Sequence, residues 1–146
     1  MGLIEKVGPG PVGLDTSVFI YLIERHSRFL PAVRPLFVES ERGRIKLVTS
    51  ALTLLEVLTM PLRKGASAMA AEYEDLLTRT PSLDLVDINL GQLKSAALLR
   101  AHTSMKTPDA LQVAAALSRN CTAFITNDKR LSSLPHLPIY QIEDYA

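Results

Sequence analysis

The chain has 146 residues and a formal net charge of +1, with 47% hydrophobic and 21% charged residues. This length suits one domain, and this composition is that of an ordinary folded protein, which excludes a disordered chain or a coiled coil. The near-neutral charge means that binding of an acidic partner would need a local basic patch. The single cysteine, Cys121, excludes an internal disulfide and a cysteine-rich zinc site and indicates a reducing cytoplasm. No stretch is long enough to span a membrane.

The first regular elements are predicted to be a short strand over residues 12–15 and a helix over 16–24. Either Thr16 or Ser17 can cap this helix. Asp15 then lies at a strand-to-helix junction, and ligands bind at that edge of an open parallel sheet. The simpler alternative is that Asp15 only caps the helix, which is less favoured because Thr16 and Ser17 can serve as the cap.

A helix over about 29–41, a strand over 45–49 and a second helix over 51–59 follow, with Ser50 as a cap of the second helix. Glu56 is the one charged residue of this apolar helix, and no basic residue lies three or four positions away. A partly buried carboxylate without a cation is costly. A tertiary salt bridge to an arginine would supply one, but a metal-binding or catalytic role is the favoured interpretation.

Pro61 is predicted to open a helix over about 62–79, which is followed by a strand over 83–88. Asn89 and Gln92 resemble a capping box for a helix that runs to about residue 104. The three histidines of the chain lack the spacing of a paired metal site. A histidine-based metal site is therefore not favoured.

Residues 106–117 predict a buried helix with one carboxylate at its start. Thr107 is the expected N-cap, and Pro108 suits the first helical position because no N–H is needed there. Asp109 then lies in the first turn, where a core meets water and a metal-binding carboxylate would be held in place. The alternative is that Asp109 only stabilises the positive end of the helix dipole.

Residues 122–128 predict a strand that ends in Asp128, with Thr126 as a second polar group at the same edge, and 137–140 predict a short edge strand. Strands that alternate with helices imply a parallel sheet covered on both faces. We therefore expect an α/β fold, a three-layer α/β/α sandwich with a mostly parallel central sheet.

In this arrangement Asp15 and Asp128 follow strands, and Glu56 and Asp109 lie on helices that could border the same sheet edge. Clustered carboxylates repel each other unless a cation joins them, and an acid cluster without histidine or cysteine favours Mg²⁺ or Mn²⁺. Such an ion would activate a water for in-line attack on a phosphodiester. Several basic residues near the acids could hold a phosphate backbone, although each could equally be a solvated surface charge; they are Arg63, Lys64, Lys106, Lys129 and Arg130.

Four blocks of the sequence, residues 14–20, 55–57, 106–111 and 125–128, together resemble the PIN-domain proteins. More narrowly, they resemble the VapC-type toxins of bacterial and archaeal toxin–antitoxin pairs. The resemblance runs from about Val12 to the C-terminus. It divides the chain into an N-terminal arm, residues 1–11, with little pattern, and a PIN-like nuclease domain, residues 12–146. In the family the first strand usually starts nearer the N-terminus.

The resemblance implies a cytoplasmic endoribonuclease that cleaves single-stranded RNA and depends on Mg²⁺, for which Mn²⁺ can substitute. It also implies a homodimer with a small cognate antitoxin and no membrane association. The acids that would be both catalytic and metal-binding are Asp15, Glu56, Asp109 and Asp128, with Thr126 and Thr16 in support. The fourth acid has the most variable role in the family.

Two alternatives remain at this stage. The first is a non-catalytic PIN-fold module that binds RNA or a protein, although such a module would be free to lose the four acids. The second is a phosphatase with Asp15 as nucleophile, similar to the haloacid dehalogenases. Those enzymes carry a second aspartate two residues after the first, and position 17 is a serine here.

Overall fold

A computed structural model describes residues 2–146. Five strands form one sheet in the order β3-β2-β1-β4-β5, and every neighbouring pair is parallel. The strands are β1 (Val12–Leu14), β2 (Leu47–Ser50), β3 (Leu83–Val86), β4 (Ala123–Thr126) and β5 (Ile139–Gln141). The helices are α1 (Leu3–Val7), α2 (Thr16–Ile23), α3 (Leu30–Glu41), α4 (Leu52–Arg63), α5 (Ser67–Arg79), α6 (Leu90–His102), α7 (Thr107–Ser118) and a final 3₁₀ helix (Ile142–Tyr145).

Helices cover both faces of the sheet, as the alternation along β2 shows. Leu47 packs into a core shared with α2, α3 and α5, whereas its neighbour Val48 packs into a second core with α7. Successive side chains of a strand point to opposite faces, so two cores on one strand mean two helical layers. The predicted three-layer α/β/α sandwich is confirmed, and its sheet is entirely parallel.

Helix α7 is buried along most of its length, as its apolar sequence predicts. It packs across β1 and β2, and Gly13 of β1 permits the close approach. A Cβ atom at Gly13 would lie 2.8 Å from both the Ala116 Cβ and the Phe124 ring, which is too close for a real side chain. This packing fixes the start of α7 at the carboxyl edge of the sheet.

The prediction that Pro61 opens a helix is wrong, because Pro61 lies inside α4. Its ring is buried, and the chain continues helically for one more turn, with the Lys64 N–H bonded to the Met60 carbonyl at 3.0 Å. The helix ends where Gly65 adopts a left-handed φ of 70°, a conformation that glycine adopts readily. The break between α4 and α5 is therefore made by the glycine.

The N-terminal segment forms a helix where the sequence predicted no regular element. Leu3 and Val7, four residues apart, lie on one face of α1 and are both buried against the core that includes α3. Whether residues 1–11 are an arm separate from the domain stays a prediction. None of the helices in residues 2–146 is both long and apolar enough to cross a membrane.

Candidate active site

The carboxyl edge of the parallel sheet holds a small cleft with a volume of about 130 Å³. Each acid reaches it from a different element: Asp15 directly follows β1, Asp109 is in the first turn of α7, Glu56 is in the second turn of α4, and Asp128 follows β4. All four side chains line this cleft, together with Thr16, Ser17, Pro108 and Gln112. The structure thus brings the four sequence-predicted acids to one place.

Asp15 is the most constrained of the four acids. Its Oδ1 accepts hydrogen bonds from the Ser17 N–H at 3.0 Å and from the Ser17 hydroxyl at 2.5 Å, and its Oδ2 accepts one from the Thr126 hydroxyl. Asp15 is thus the N-cap of α2, and the prediction of Thr16 or Ser17 as the cap is wrong. Each carboxylate oxygen has two acceptor positions, so Oδ2 keeps one for a ligand.

Burial raises the pKa of Asp15 from 3.8 to about 6, although the hydrogen bonds from Ser17 and Thr126 oppose the rise. The negative charge of Asp109 contributes to the rise. A carboxyl group held in this way is costly to ionise unless a cation binds beside it. The position of Asp15 therefore favours either a proton or a bound cation.

Glu56 is exposed, which corrects the expectation that it would be partly buried. Its Oε1 accepts a hydrogen bond of 2.6 Å from the Thr16 hydroxyl. Within residues 2–146, no lysine or arginine forms an ion pair with it, so the alternative of a tertiary salt bridge is not met there. The desolvation cost that the sequence suggested for the Glu56 carboxylate does not apply, because α4 presents Glu56 to water at the edge of the cleft.

A buried hydrogen-bond network lies beneath the acids, and sequence reasoning gave its central residue, Gln112, no role. Gln112 donates through Nε2 to the hydroxyls of Thr53 at 2.8 Å and Thr16 at 3.2 Å. The Gln112 Oε1 accepts from the Ser50 N–H at 3.3 Å, and Thr49 shares a bond of 2.8 Å with Thr53. The available signal was that Gln112 is the one polar residue in the apolar run of α7. Since Thr16 holds Glu56, this network also orients the Glu56 carboxylate.

Asp128 is paired with an arginine. The Arg130 Nε lies 3.0 Å from the Asp128 Oδ1, and the Arg130 Nη2 lies 2.6 Å from Oδ2. This guanidinium holds the pKa of Asp128 below its usual range. By contrast, burial and the charge of Asp128 raise the pKa of Asp109, and Arg130, whose Nη2 is 4.0 Å from the Asp109 Oδ2, only partly opposes this. The four acids are therefore not equivalent.

Thr126 connects two of the acids. Its hydroxyl donates to Asp15 and accepts from the Asp128 N–H at 3.0 Å.

The structure corrects two predictions about the start of α7. The N-cap is Lys106 and not Thr107, and the first helical residue is Thr107 and not Pro108. The Thr107 hydroxyl makes no capping bond and accepts from the Arg100 Nη1 at 2.9 Å. This contact fixes the loop between α6 and α7 and so the position of Asp109.

The ligand chemistry of the cleft suits a hard cation. In residues 2–146, no three aspartate, glutamate, histidine or cysteine side chains lie close enough to hold a metal ion as a closed cage. Mg²⁺ needs no such cage, because it keeps several waters and takes one or two carboxylates. Asp15 and Asp109 line the cleft together, and the negative charge of Asp109 contributes to the raised pKa of Asp15, so a cation between them would relieve this repulsion. The residues present therefore fit a hydrated divalent ion bound by two carboxylates.

The fold and the site together define a parallel α/β/α protein with an acidic cleft at the carboxyl edge of its sheet. The family model of the PIN domain matches residues 12–137, and the chain belongs to the PIN-domain family. The predicted resemblance to this family is confirmed. A search of the curated proteins gave no match.

Solved structures of similar fold come from toxin–antitoxin systems. DNA-bound VapBC from Salmonella typhimurium matches with a TM-score of 0.67 and 17% identity over 90% of this chain and 97% of that chain. A toxin–antitoxin complex from Klebsiella pneumoniae matches with a TM-score of 0.65 and 20% identity over 89% of this chain and 98% of that chain. VapC20 of Mycobacterium tuberculosis, described as a toxin that cleaves the sarcin–ricin loop, matches with a TM-score of 0.63 and 14% identity over 77% of this chain and 86% of that chain. At these identities the likeness establishes the fold.

Proposed function

We propose that this protein is a metal-dependent endoribonuclease that cleaves single-stranded RNA, and that it is the toxin of a VapBC-type toxin–antitoxin pair in the cytoplasm. The observation that carries the proposal is the meeting of four carboxylates from four separate elements at one cleft. The membership of the PIN-domain family and the similar folds of toxin–antitoxin proteins support it. A bound cation would offset the mutual repulsion of these carboxylates, which come together from distant parts of the sequence.

Asp15 and Asp109 would hold Mg²⁺, or Mn²⁺ in its place, with Glu56 and Asp128 at the margin of the site. When bound, the metal ion would activate a water and stabilise the charge that develops on the phosphodiester. The chain's own residues prepare the site. Ser17 and Thr126 fix the carboxylate of Asp15, so that its remaining acceptor position has one orientation.

Glu56 is the acid best placed to accept a proton from a water in the cleft. It is exposed, and the Thr16 hydroxyl holds its Oε1 at 2.6 Å. Gln112 anchors Thr16 from below at 3.2 Å, so the Glu56 carboxylate is oriented without being neutralised. A general base needs this combination of fixed geometry and access to the reacting water.

The partners are part of the same proposal. One of the similar structures is described as a toxin–antitoxin complex, so a cognate antitoxin is the proposed partner of this chain. The homodimer that the family resemblance implies is proposed with it. The RNA substrate would approach the open cleft at the carboxyl edge of the sheet. No part of this proposal involves a membrane.

The test is RNA cleavage by purified protein with Mg²⁺, with Mn²⁺ and with EDTA. Asp15→Asn and Asp109→Asn should each lower the cleavage rate by at least about 100-fold, because each removes a charged ligand from the ion. The matched control is Asp75→Asn, since Asp75 is an exposed aspartate paired only with Arg79 at 3.6 Å. Undiminished cleavage by Asp15→Asn or Asp109→Asn would refute the proposal. RNA binding without turnover in the native protein would favour the non-catalytic module.

A further inference from the structure

A second cavity adjoins the acidic cleft on the other side of Asp109. It has a volume of about 280 Å³ and is lined by Ser104, Met105, Lys106, Asp109, Arg130 and Leu131. One wall is the loop between α6 and α7, and the other is the turn that follows β4. Asp109 lines both this cavity and the cleft, so a chain-like ligand that fills one can continue into the other.

The wall that carries Lys106 is fixed before any ligand arrives. Arg100 donates through Nε to the Met105 carbonyl at 3.3 Å and through Nη1 to the Thr107 hydroxyl at 2.9 Å. The Thr103 hydroxyl accepts from the Met105 N–H at 3.1 Å. These bonds hold both neighbours of Lys106, so little backbone order has to be gained on binding.

The wall that carries Arg130 is fixed as well. The Leu131 N–H bonds to the Asp128 carbonyl at 3.1 Å, and Gln141 donates to the same carbonyl at 2.9 Å and to the Leu131 carbonyl at 3.3 Å. The Arg130 guanidinium engages Asp128 through Nε and Nη2 only. An arginine side chain has five N–H donors, so donors remain that Asp128 does not use.

The charges of this cavity suit an anion. Lys106 and Arg130 are both exposed, and Lys106 forms no ion pair with any acid of residues 2–146. Asp128 offsets one positive charge, and Asp109 at the rim is the proposed ligand of a divalent cation, which would offset its own charge. Arginine and lysine are the side chains that recognise phosphate, arginine through its planar fork and lysine as a point charge.

We propose that Lys106 and Arg130 form a subsite for a backbone phosphate of the RNA, next to the phosphate that is cleaved. The proposal rests on the proposed nuclease function and names residues that position the substrate. Met105 and Leu131 line the same cavity and provide an apolar surface against which the adjoining ribose packs. Binding here holds the strand across Asp109 and directs the neighbouring phosphodiester into the acidic cleft.

Lys129 offers a matched control within the same turn. It is the neighbour of Arg130 in sequence and has a similar exposure, with 73% of its side chain accessible against 66% for Arg130. Its Nζ is instead 2.5 Å from the Glu143 Oε2, and it lines neither cavity. Removal of Lys129 therefore changes the net charge equally but leaves the subsite intact.

The experiment measures binding of a short unstructured RNA over a series of salt concentrations, with Ca²⁺ in place of Mg²⁺ so that the acids keep a divalent cation. A gel of the same samples checks that the RNA stays intact. Lys106→Ala and Arg130→Ala should each weaken binding roughly tenfold at low salt, near the lower end for a charge-assisted hydrogen bond. Each should also reduce the slope of log affinity against log salt by about 0.7, as expected for one phosphate contact on a single strand. Lys129→Ala should retain nearly native affinity and slope. Thermal melts check that each variant is folded.

The subsite would be overturned by native-like binding of both folded variants, or by losses no larger than that of Lys129→Ala. Absence of any RNA binding by the native protein at low salt would overturn it as well. Cleavage is assayed separately, so the two proposals can fail independently. Active cleavage with unchanged RNA affinity in Lys106→Ala and Arg130→Ala rejects only the subsite. Binding that depends on Lys106 and Arg130 without any cleavage rejects only the nuclease.

Discussion

Replacing Asp15 with asparagine should stabilise the metal-free protein near neutral pH, although it removes a residue of the proposed active site. Burial raises the pKa of Asp15 from 3.8 to about 6. Ionising this carboxyl group in the folded state then costs about 3 kcal/mol more than in the unfolded chain. Asparagine is as good an N-cap as aspartate, but it carries no charge. Losing the favourable interaction of a negative charge with the helix dipole costs about 0.3–1 kcal/mol of stability. The expected net gain is about 2 kcal/mol.

The gain should depend on pH in a defined direction. Because the folded-state pKa of Asp15 is raised, protonation of Asp15 stabilises the folded protein. This stabilisation is fully present below about pH 3.8. This contribution is lost as the pH rises through about 6. The difference between Asp15→Asn and the native protein should therefore be small near pH 4 and reach about 2 kcal/mol by about pH 8.

The assay is urea unfolding of both proteins across this pH range in EDTA, with Asp75→Asn as an exposed control that should show no such trend. Adding Mn²⁺ at the higher pH should stabilise the native protein and leave Asp15→Asn nearly unchanged, since a bound ligand stabilises only the state that binds it. A variant that is less stable than the native protein at about pH 8 in EDTA would refute the reasoning about Asp15.

Two further predictions concern the support of the site. Gln112→Leu should lower the free energy of unfolding by about 1–3 kcal/mol, because it removes the buried hydrogen bonds that Gln112 makes to the Thr53 hydroxyl and to the Ser50 N–H. Urea unfolding of this variant would contradict that if the loss were below about 0.5 kcal/mol. Gly13→Ala should cost about 1–3 kcal/mol, because its Cβ atom would meet Ala116 at 2.8 Å and push α7 away from β1. A melting temperature equal to that of the native protein would show that α7 can move away from β1 without loss of stability, and would contradict this prediction.

The architecture was predictable because its signals are periodic and local. The alternation of short apolar runs with longer helical patterns indicates a parallel sheet with helices on both faces, and the structure confirms this. Strands that end in polar residues also identified the carboxyl edge. Local signals were insufficient where several neighbouring residues could fill the same role. Asp15, Thr16 and Ser17 are all good caps, and the choice among them depends on where β1 ends.

The error at Pro61 has a similar origin. Proline usually marks a helix boundary because it lacks an N–H and its ring clashes with the preceding turn. Near the end of α4 only one backbone bond is lost, and burial of the ring compensates for it. The sequence contains Gly65 as the stronger stop signal, but which of the two ends the helix depends on the packing of α4 against α5.

The sequence by itself determined the class of fold, the order of its elements from β1 to β5 and the four acids that reach the carboxyl edge. Only the tertiary structure decided how those acids differ. Thr126 bonds to Asp15 from 111 residues away, and Gln112 bonds to Thr16 from 96 residues away. Such contacts leave no periodic trace in the sequence, because they depend on which strands and helices become neighbours. For the same reason Arg130 was recognisable as a nearby basic residue, whereas its pairing with Asp128 and its place beside Asp109 follow from the fold.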